Sequence, residues 1–269
     1  MAISHVVRSG VCVGFLAAAG LVQAADLPSA SAPPSLSPAP VFTSWEFSVS
    51  GYIWASALKG TLATVPPLPP VDIDMTIGDV FSNLGGALMG AFDAKYGRFI
   101  LFNDLMYTRL LPDVSRAKGP LAVAVDVDAY SLIGLAAGGY RVVDGQQFTL
   151  DLLAGVRGFY MDNTITVRAT LGPFVRGQRF ANTQTWVDAV AGMRMRYQFD
   201  DRWFVNMIAF AGGGGSKYQW DVYSGAGYSF NKNWNAFLGY RAFKVDYRNG
   251  GFIYDVLQHG PLTGIQYRW

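Results

Sequence analysis

From Trp45 to Trp269, large apolar and polar side chains alternate with period two in one stretch after another. That spacing is the mark of a β-strand with one apolar and one polar face. The first strand, about Trp45–Leu58, sends Trp45, Phe47, Val49, Ile53 and Ala55 to one face and Glu46, Ser48, Ser50, Tyr52 and Ser56 to the other. A long segment from Lys59 to Leu84, with a PPLPP run and a short helix around Ile77–Asn83, reads as a loop. The second strand, Gly85–Tyr96, sets Leu88, Phe92 and Tyr96 against Met89, Asp93 and Lys95; Gly97-Arg98 is a tight turn. The third, Phe99–Leu110, opposes Leu101, Leu105 and Tyr107 to Phe102, Asp104 and Met106. In the fourth, Leu121–Arg141, the apolar face takes Val123, Val125, Val127, Ala129, Ile133 and Leu135. The polar face takes Asp126, Asp128, Tyr130, Gly134 and Gly138.

The fifth, Phe148–Met161, alternates Leu150, Leu152, Ala154 and Val156 with Asp151, Leu153, Gly155 and Arg157, and continues through Thr164–Leu171 as part of a tall hairpin. The sixth, Gln184–Phe199, opposes Val187, Ala189, Ala191, Met193, Met195 and Tyr197 to Asp188, Gly192, Arg194, Arg196 and Gln198. The seventh to ninth follow at Trp203–Gly212, Lys217–Phe230 and Trp234–Tyr247, and the tenth, Phe252–Trp269, ends on the alternating Ile265, Tyr267 and Trp269.

This pattern predicts an all-β fold, a transmembrane antiparallel up-and-down β-barrel of about ten strands. Eight strands result if the seventh-to-eighth hairpin is misplaced, and twelve if Thr164–Phe180 forms its own membrane hairpin. Connections near Gly97, Asp144, Asp201 and Lys232 are short turns. Those at 59–84, 111–120, 162–183, 213–216 and 248–251 fall at the opposite end. Short periplasmic turns with mostly longer external loops are the asymmetry of outer-membrane barrels. Trp45, Tyr96, Trp203, Trp234 and Trp269 collect beside the short turns as an interfacial aromatic girdle. A terminal aromatic closing an alternating strand is the expected signal for the barrel-assembly machinery, carried here by Ile265, Tyr267 and Trp269.

Composition sharpens this picture. Charged residues are 15% of the 269, against about a quarter in a soluble domain. Yet no run of about 20 apolar residues follows the first segment, which argues against membrane helices. Met1–Ala24 reads as a secretory signal, with Arg8 in its basic region, an apolar Val11–Val22 and cleavage after Val22-Gln23-Ala24. Residues 25–44 are a Pro/Ser/Ala-rich periplasmic linker and residues 45–269 the barrel. The single cysteine, Cys12, falls in the signal, so the mature chain has no thiol chemistry. Removing Arg8 leaves 20 basic residues against 19 acidic ones, and nothing points to nucleic acid. The expected surroundings are outer-membrane lipids and lipopolysaccharide.

On the polar face lies a recurring set of charges: Asp93, Lys95, Asp104, Asp126, Asp128, Asp151, Arg157, Asp188, Arg194, Arg196, Arg241 and Arg268. A barrel of this size is barely wider than the side chains filling it, so charges inside must be paired or hydrated. Two readings follow: a salt-bridge network that holds the lumen shut, or a narrow polar pore. An enzyme is not expected. His259 is the mature chain's only histidine, which excludes a multi-histidine metal site, and no serine sits in a nucleophile context. The glycine runs Gly225–Tyr228 and Ala211–Gly215 precede no helix and are not phosphate loops, and no cofactor or metal is expected. Gly260-Pro261 predicts a β-bulge that turns Asp255, Leu257 and His259 inward, since proline donates no ladder bond. The rival functions are a barrel-embedded surface hydrolase centred on His259 and adhesion through loop 59–84.

The phrases DLLAGVR (Asp151–Arg157), FLGYRAFKVDY (Phe237–Tyr247) and HGPLTGIQYRW (His259–Trp269) resemble a family of small, mostly uncharacterised outer-membrane β-barrel proteins of Gram-negative bacteria. The ADLP start with its proline-rich tail is similar to the mature N-termini of rhizobial and Brucella surface barrel proteins. The resemblance implies a fold and a location, and no catalytic residue.

Overall fold

The computed structural model describes residues 44–66, 68–118, 121–171 and 174–269, without the side chains of 114–118, 121 and 171. The expected signal peptide and nearly all of the linker lie outside the described residues. The elements are β1 (Trp45–Trp54), β2 (Ala57–Ala63), β3 (Val71–Met75), α1 (Ile77–Ser82), β4 (Leu84–Tyr96), β5 (Phe99–Leu110), β6 (Asp113–Lys118) and β7 (Leu121–Asp144). They continue with β8 (Phe148–Leu171), β9 (Phe174–Gln198), β10 (Trp203–Gly214), β11 (Tyr218–Ser229), β12 (Trp234–Asn249) and β13 (Phe252–Arg268). Neighbours pair antiparallel in the order β1-β4-β5-β7-β8-β9-β10-β11-β12-β13, and β13 pairs back onto β1. The result is a closed ten-stranded cylinder with no free edge around its waist.

Closure runs along the β1–β13 ladder, from Trp54↔Leu262 to Ser48↔Arg268 and on to Trp269. Trp269 and Phe47 exchange both backbone hydrogen bonds at 3.0 Å, and their rings stack 5.8 Å apart. Above the closure seam β2 continues β1 along the same partner: Trp54 opposes Leu262 and Ala57 opposes His259, with no residue gained or lost. The β12–β13 register is unbroken as well. No bulge forms at Gly260-Pro261, and the expected inversion of β13 does not occur. Pro261 accepts from the Ala55 N–H (2.9 Å), so its missing donor falls on the seam between β1 and β2. A Cβ at Gly260 would sit 1.9 Å from the Ala55 carbonyl oxygen, so glycine admits that close approach. The irregularity is therefore an interruption of β1–β2 and not an extra residue in β13.

The outer face is banded. At the end with the short turns, Trp45 and Tyr96, Trp203 and Tyr228, and Trp234 and Tyr267 lie 4.8–5.2 Å apart as an aromatic ring around the cylinder. A second belt, Tyr107–Tyr130–Tyr160, lies toward the other end at 5.1 and 5.7 Å. Between them stand exposed Leu88, Leu101, Leu105, Leu152, Val156 and Leu238. Beyond the second belt the outer face turns ionic, with Arg109–Asp128 at 2.7 Å and Arg168–Asp126 at 3.0 Å. On β8 ten residues separate Leu150 from Tyr160, which at about 3.4 Å each and a tilt near 40° matches an apolar band about 25 Å tall.

The strands differ in height. β8 and β9 pair without a break from Phe148↔Tyr197 to Leu171↔Phe174. Thr164–Phe180 therefore extends this hairpin and is not a separate membrane hairpin. β7 matches it along Leu121–Asp144, and β6 adds a short outer strand. Over the opposite wall the β2–β3 hairpin and α1 occupy the segment read as a loop. α1 begins with a capping box in which Thr76 and Asp79 satisfy each other's backbone N–H groups.

Candidate functional site

The lumen is stacked in three layers. At the short-turn end the inward positions carry ions: Lys95 bonds Glu46 at 3.2 Å, and Arg141 reaches Asp151 at 2.8 Å and Asp144 at 3.3 Å. Arg194 bridges Asp151 (3.0 Å) and Asp93. This layer borders a cavity of about 370 Å³ that extends up to the next one; its lining also includes Ser48, Tyr52, Asn206, Arg196, Arg268 and Arg241. A Cβ at Gly227 would overlap the Phe204 ring at 2.1 Å, so the lower wall is built around that ring.

The middle layer is a buried network. Arg241 donates to Asp104 and Asp221, each at 2.7 Å, and to the Tyr52 hydroxyl at 3.0 Å. Tyr52 in turn donates to Asp104 at 2.5 Å. Arg157, 1% exposed, donates to Asp221 (2.7 Å) and Gln219 (2.9 Å). Gln219 donates to Asp188 (2.8 Å), which also accepts the Ser216 backbone N–H at 2.6 Å. Arg157 lies 4.8 Å from the Phe243 ring centre, so its charge meets carboxylates on one side and a π-face on another.

The third layer is aromatic. Trp186 stacks on Tyr247 at 3.9 Å and on Phe159 at 4.6 Å, and Phe243 continues the pile. Buried Phe252, Val245 and Val256 fill the space beside it, and the Trp186 indole N–H is satisfied by Ser216 Oγ at 2.8 Å.

Ten of the expected lumen charges (Asp93, Lys95, Asp104, Asp151, Arg157, Asp188, Arg194, Arg196, Arg241 and Arg268) lie inside and belong to or border these layers. Asp126 and Asp128 do not. They face outward above the second tyrosine belt, paired with Arg168 and Arg109. Leu135 opposes inward Asp104 and Ile133 opposes inward Met106, so β7 points Ile133 and Leu135 into the core and its acids out. Valine and alanine alternate with aspartate equally well in either phase, and the neighbouring strand decides. His259 also faces outward, hydrogen-bonded through Nδ1 to the exposed Tyr240 hydroxyl at 2.6 Å. Outward too is Asp255, bonded to Arg248 at 2.9 Å.

No protein-family profile matches the chain, and no curated protein matches it in sequence. Solved structures do match in shape. The outer membrane protease OmpT from Escherichia coli is similar over 85% of this chain and 98% of that one, at 8% identity and a TM-score of 0.58. The translocator domain of the autotransporter NalP from Neisseria meningitidis matches 84% of this chain and 89% of its own, at 14% identity and a TM-score of 0.46. The fold is that of an outer-membrane β-barrel.

Within this barrel the sequence pattern missed Arg141, Asp144, Glu46, Gln219 and Asp221 as members of the network. Asp221 and Gln219 were legible. They alternate with Trp220 and Val222, which places them on the polar face of the eighth strand. Arg141 was hidden by the inverted phase of β7, whose odd positions point inward, and Asp144 by the register shift between Arg141 and Val143 at the turn.

Proposed function

We propose that the protein is an outer-membrane barrel with a closed lumen, working at the cell surface through its tall β7–β9 wall and not as an open diffusion pore. The observation that carries this reading is the Phe159–Trp186–Tyr247 stack lying above the Arg157–Asp221–Arg241 network. A hydrated ion or sugar crossing the barrel would have to displace both layers. Breaking a buried ion pair by removing one partner costs about 3–5 kcal/mol, a large barrier for passive flow.

In this reading the short turns face the periplasm and the tall strands face outward. A membrane-crossing strand needs about 9–11 residues, and β8 has 24. The surplus stands clear of the lipid. Its summit, residues 165–180, holds three arginines and no acid, and Phe174 and Val175 are exposed beside Arg176. Such a surface suits anionic partners outside the cell, lipopolysaccharide among them.

The test is single-channel recording in planar bilayers. The purified, folded protein should show no discrete conductance steps, and a variant that opens both layers, Trp186→Ala and Tyr247→Ala combined with Arg157→Ala and Asp221→Ala, should conduct. Regular steps in the wild type at low voltage would overturn the closed-lumen reading.

A further inference from the structure

The lower cavity contains a group of cations that its own carboxylates do not neutralise. Arg194 and Arg141 each contact aspartates, as described above. Arg196 and Arg268 differ: among the described residues no carboxylate lies within 4 Å of either guanidinium. Arg196 donates through Nε and Nη2 to one oxygen, Gln198 Oε1, at 3.2 and 3.0 Å, and its guanidinium lies 3.5 Å from the Phe204 ring centre. The charged groups that act on it are Arg268, Arg194 and Arg141, all of its own sign. Among the described residues the Arg268 guanidinium donates to Gln266, at 3.2 Å, with Glu46 and Asp93 as more distant opposite charges.

Beside these donors is an acceptor without a partner. Asn206 is the register partner of Arg196, and its Oδ1 is buried without a hydrogen-bond donor among the described residues. Cross-strand partners hold their Cβ atoms about 5 Å apart, so Arg196 and Asn206 stand side by side on the wall of one cavity. Both line the 370 Å³ cavity, as does Arg268. That space equals about twelve waters at ~30 Å³ each, enough for a small ion and part of its shell.

We propose that this cavity is a binding site for hydrogen phosphate, held between Arg196 and Arg268 with its P–O–H donating to Asn206 Oδ1. Two planar guanidinium groups with free N–H donors match the oxygens of a tetrahedral oxyanion. The orphan acceptor selects among oxyanions, because at neutral pH phosphate keeps a proton to donate and sulfate does not. Lining residues Glu46, Lys95, Arg196 and Arg268 come from the strand ends next to the short turns, so a small ion enters from that end. In the orientation proposed above, that end meets the periplasm. Binding needs neither a closed nor an open upper lumen, so a conducting barrel that still took phosphate would leave this inference standing.

The experiment is calorimetric titration of the detergent-purified full-length protein with inorganic phosphate, then sulfate, at constant ionic strength in chloride. We expect one saturable phosphate site per barrel and sulfate at least tenfold weaker. Arg196→Gln and Arg268→Gln should each weaken phosphate at least tenfold while the folded, heat-modifiable band on gels is retained. Ser48→Glu provides a second route. Ser48 opposes Arg268 across the seam and lines the cavity, so a carboxylate there should replace the ligand and abolish binding with both arginines intact. No saturable binding to the wild type, or unchanged affinity in both arginine variants and in Ser48→Glu, would overturn the proposal. Equal affinity for sulfate and phosphate would remove the role given to Asn206.

Discussion

Arg241 joins strands that are far apart in the chain: Asp104 on β5, Asp221 on β11 and Tyr52 on β1 all receive its hydrogen bonds. It is 6% exposed inside the barrel, so losing it strips a buried carboxylate of its counter-charge. Arg241→Met should therefore leave Asp104 without a cation and Asp221 with Arg157 alone, and cost about 3–5 kcal/mol of stability. Arg109→Met breaks a pair of similar geometry on the wetted outer wall, and should cost about 0–1 kcal/mol. Urea unfolding of the two variants side by side measures the difference. If they lose equally, burial is not what gives the network its weight. Neither contrast could be read from residue types, since both are arginine–aspartate pairs. Register and depth separate them.

Two elements have ends that can be tested independently. Trp269 contributes two backbone hydrogen bonds to Phe47 and stacks on Phe47 and Tyr267. Deleting it should lower the fraction of folded barrel recovered from cells and leave the lumen layers of the recovered fraction unchanged. Folded and unfolded bands on unboiled gels report the fraction; normal recovery would mean that closure does not need the final residue. At the other end, hydrogen bonds from the Thr76 hydroxyl and backbone N–H hold the exposed Asp79 carboxyl below its ordinary value of 3.8. A depressed folded value means that the cap's contribution is complete above about pH 4 and is lost as the pH falls through that lower value. Amide exchange over residues 77–82, corrected for its intrinsic rate, should rise only below pH 4. In Asp79→Asn it should be fast throughout. The sequence pattern marked this helix, and it marked the ten strands, because capping and alternation are local. It misjudged the upper half of β13, where the outcome depends on what the chain across the seam does opposite Pro261.

At the scale of the whole molecule the barrel is asymmetric: β7, β8 and β9 are 24–25 residues long, while β10 and β11 have 12 each. Only the tall side carries the acid-free summit with Arg168, Arg176 and Arg179. Arg176→Ser with Arg179→Ser should reduce retention of expressing cells on an immobilised sulfated polysaccharide several-fold, with barrel yield unchanged. Retention equal to the parent would dissociate the summit from anionic contacts. Alternation along the chain was enough for about ten strands with eight and twelve left open, for the grouping of the short turns at one end, for the lipid-facing row of most strands and for the expected closing strand. Each of these rests on period-two alternation or on residues adjacent in the chain. Only the tertiary structure decided the phase of β7, the outward turn of His259, the aromatic closure above the ion layers and the crowded arginines of the lower cavity. The physical reason is that inside a closed barrel a side chain's partners come from strands across the lumen, and distance around the cylinder leaves no trace in sequence spacing.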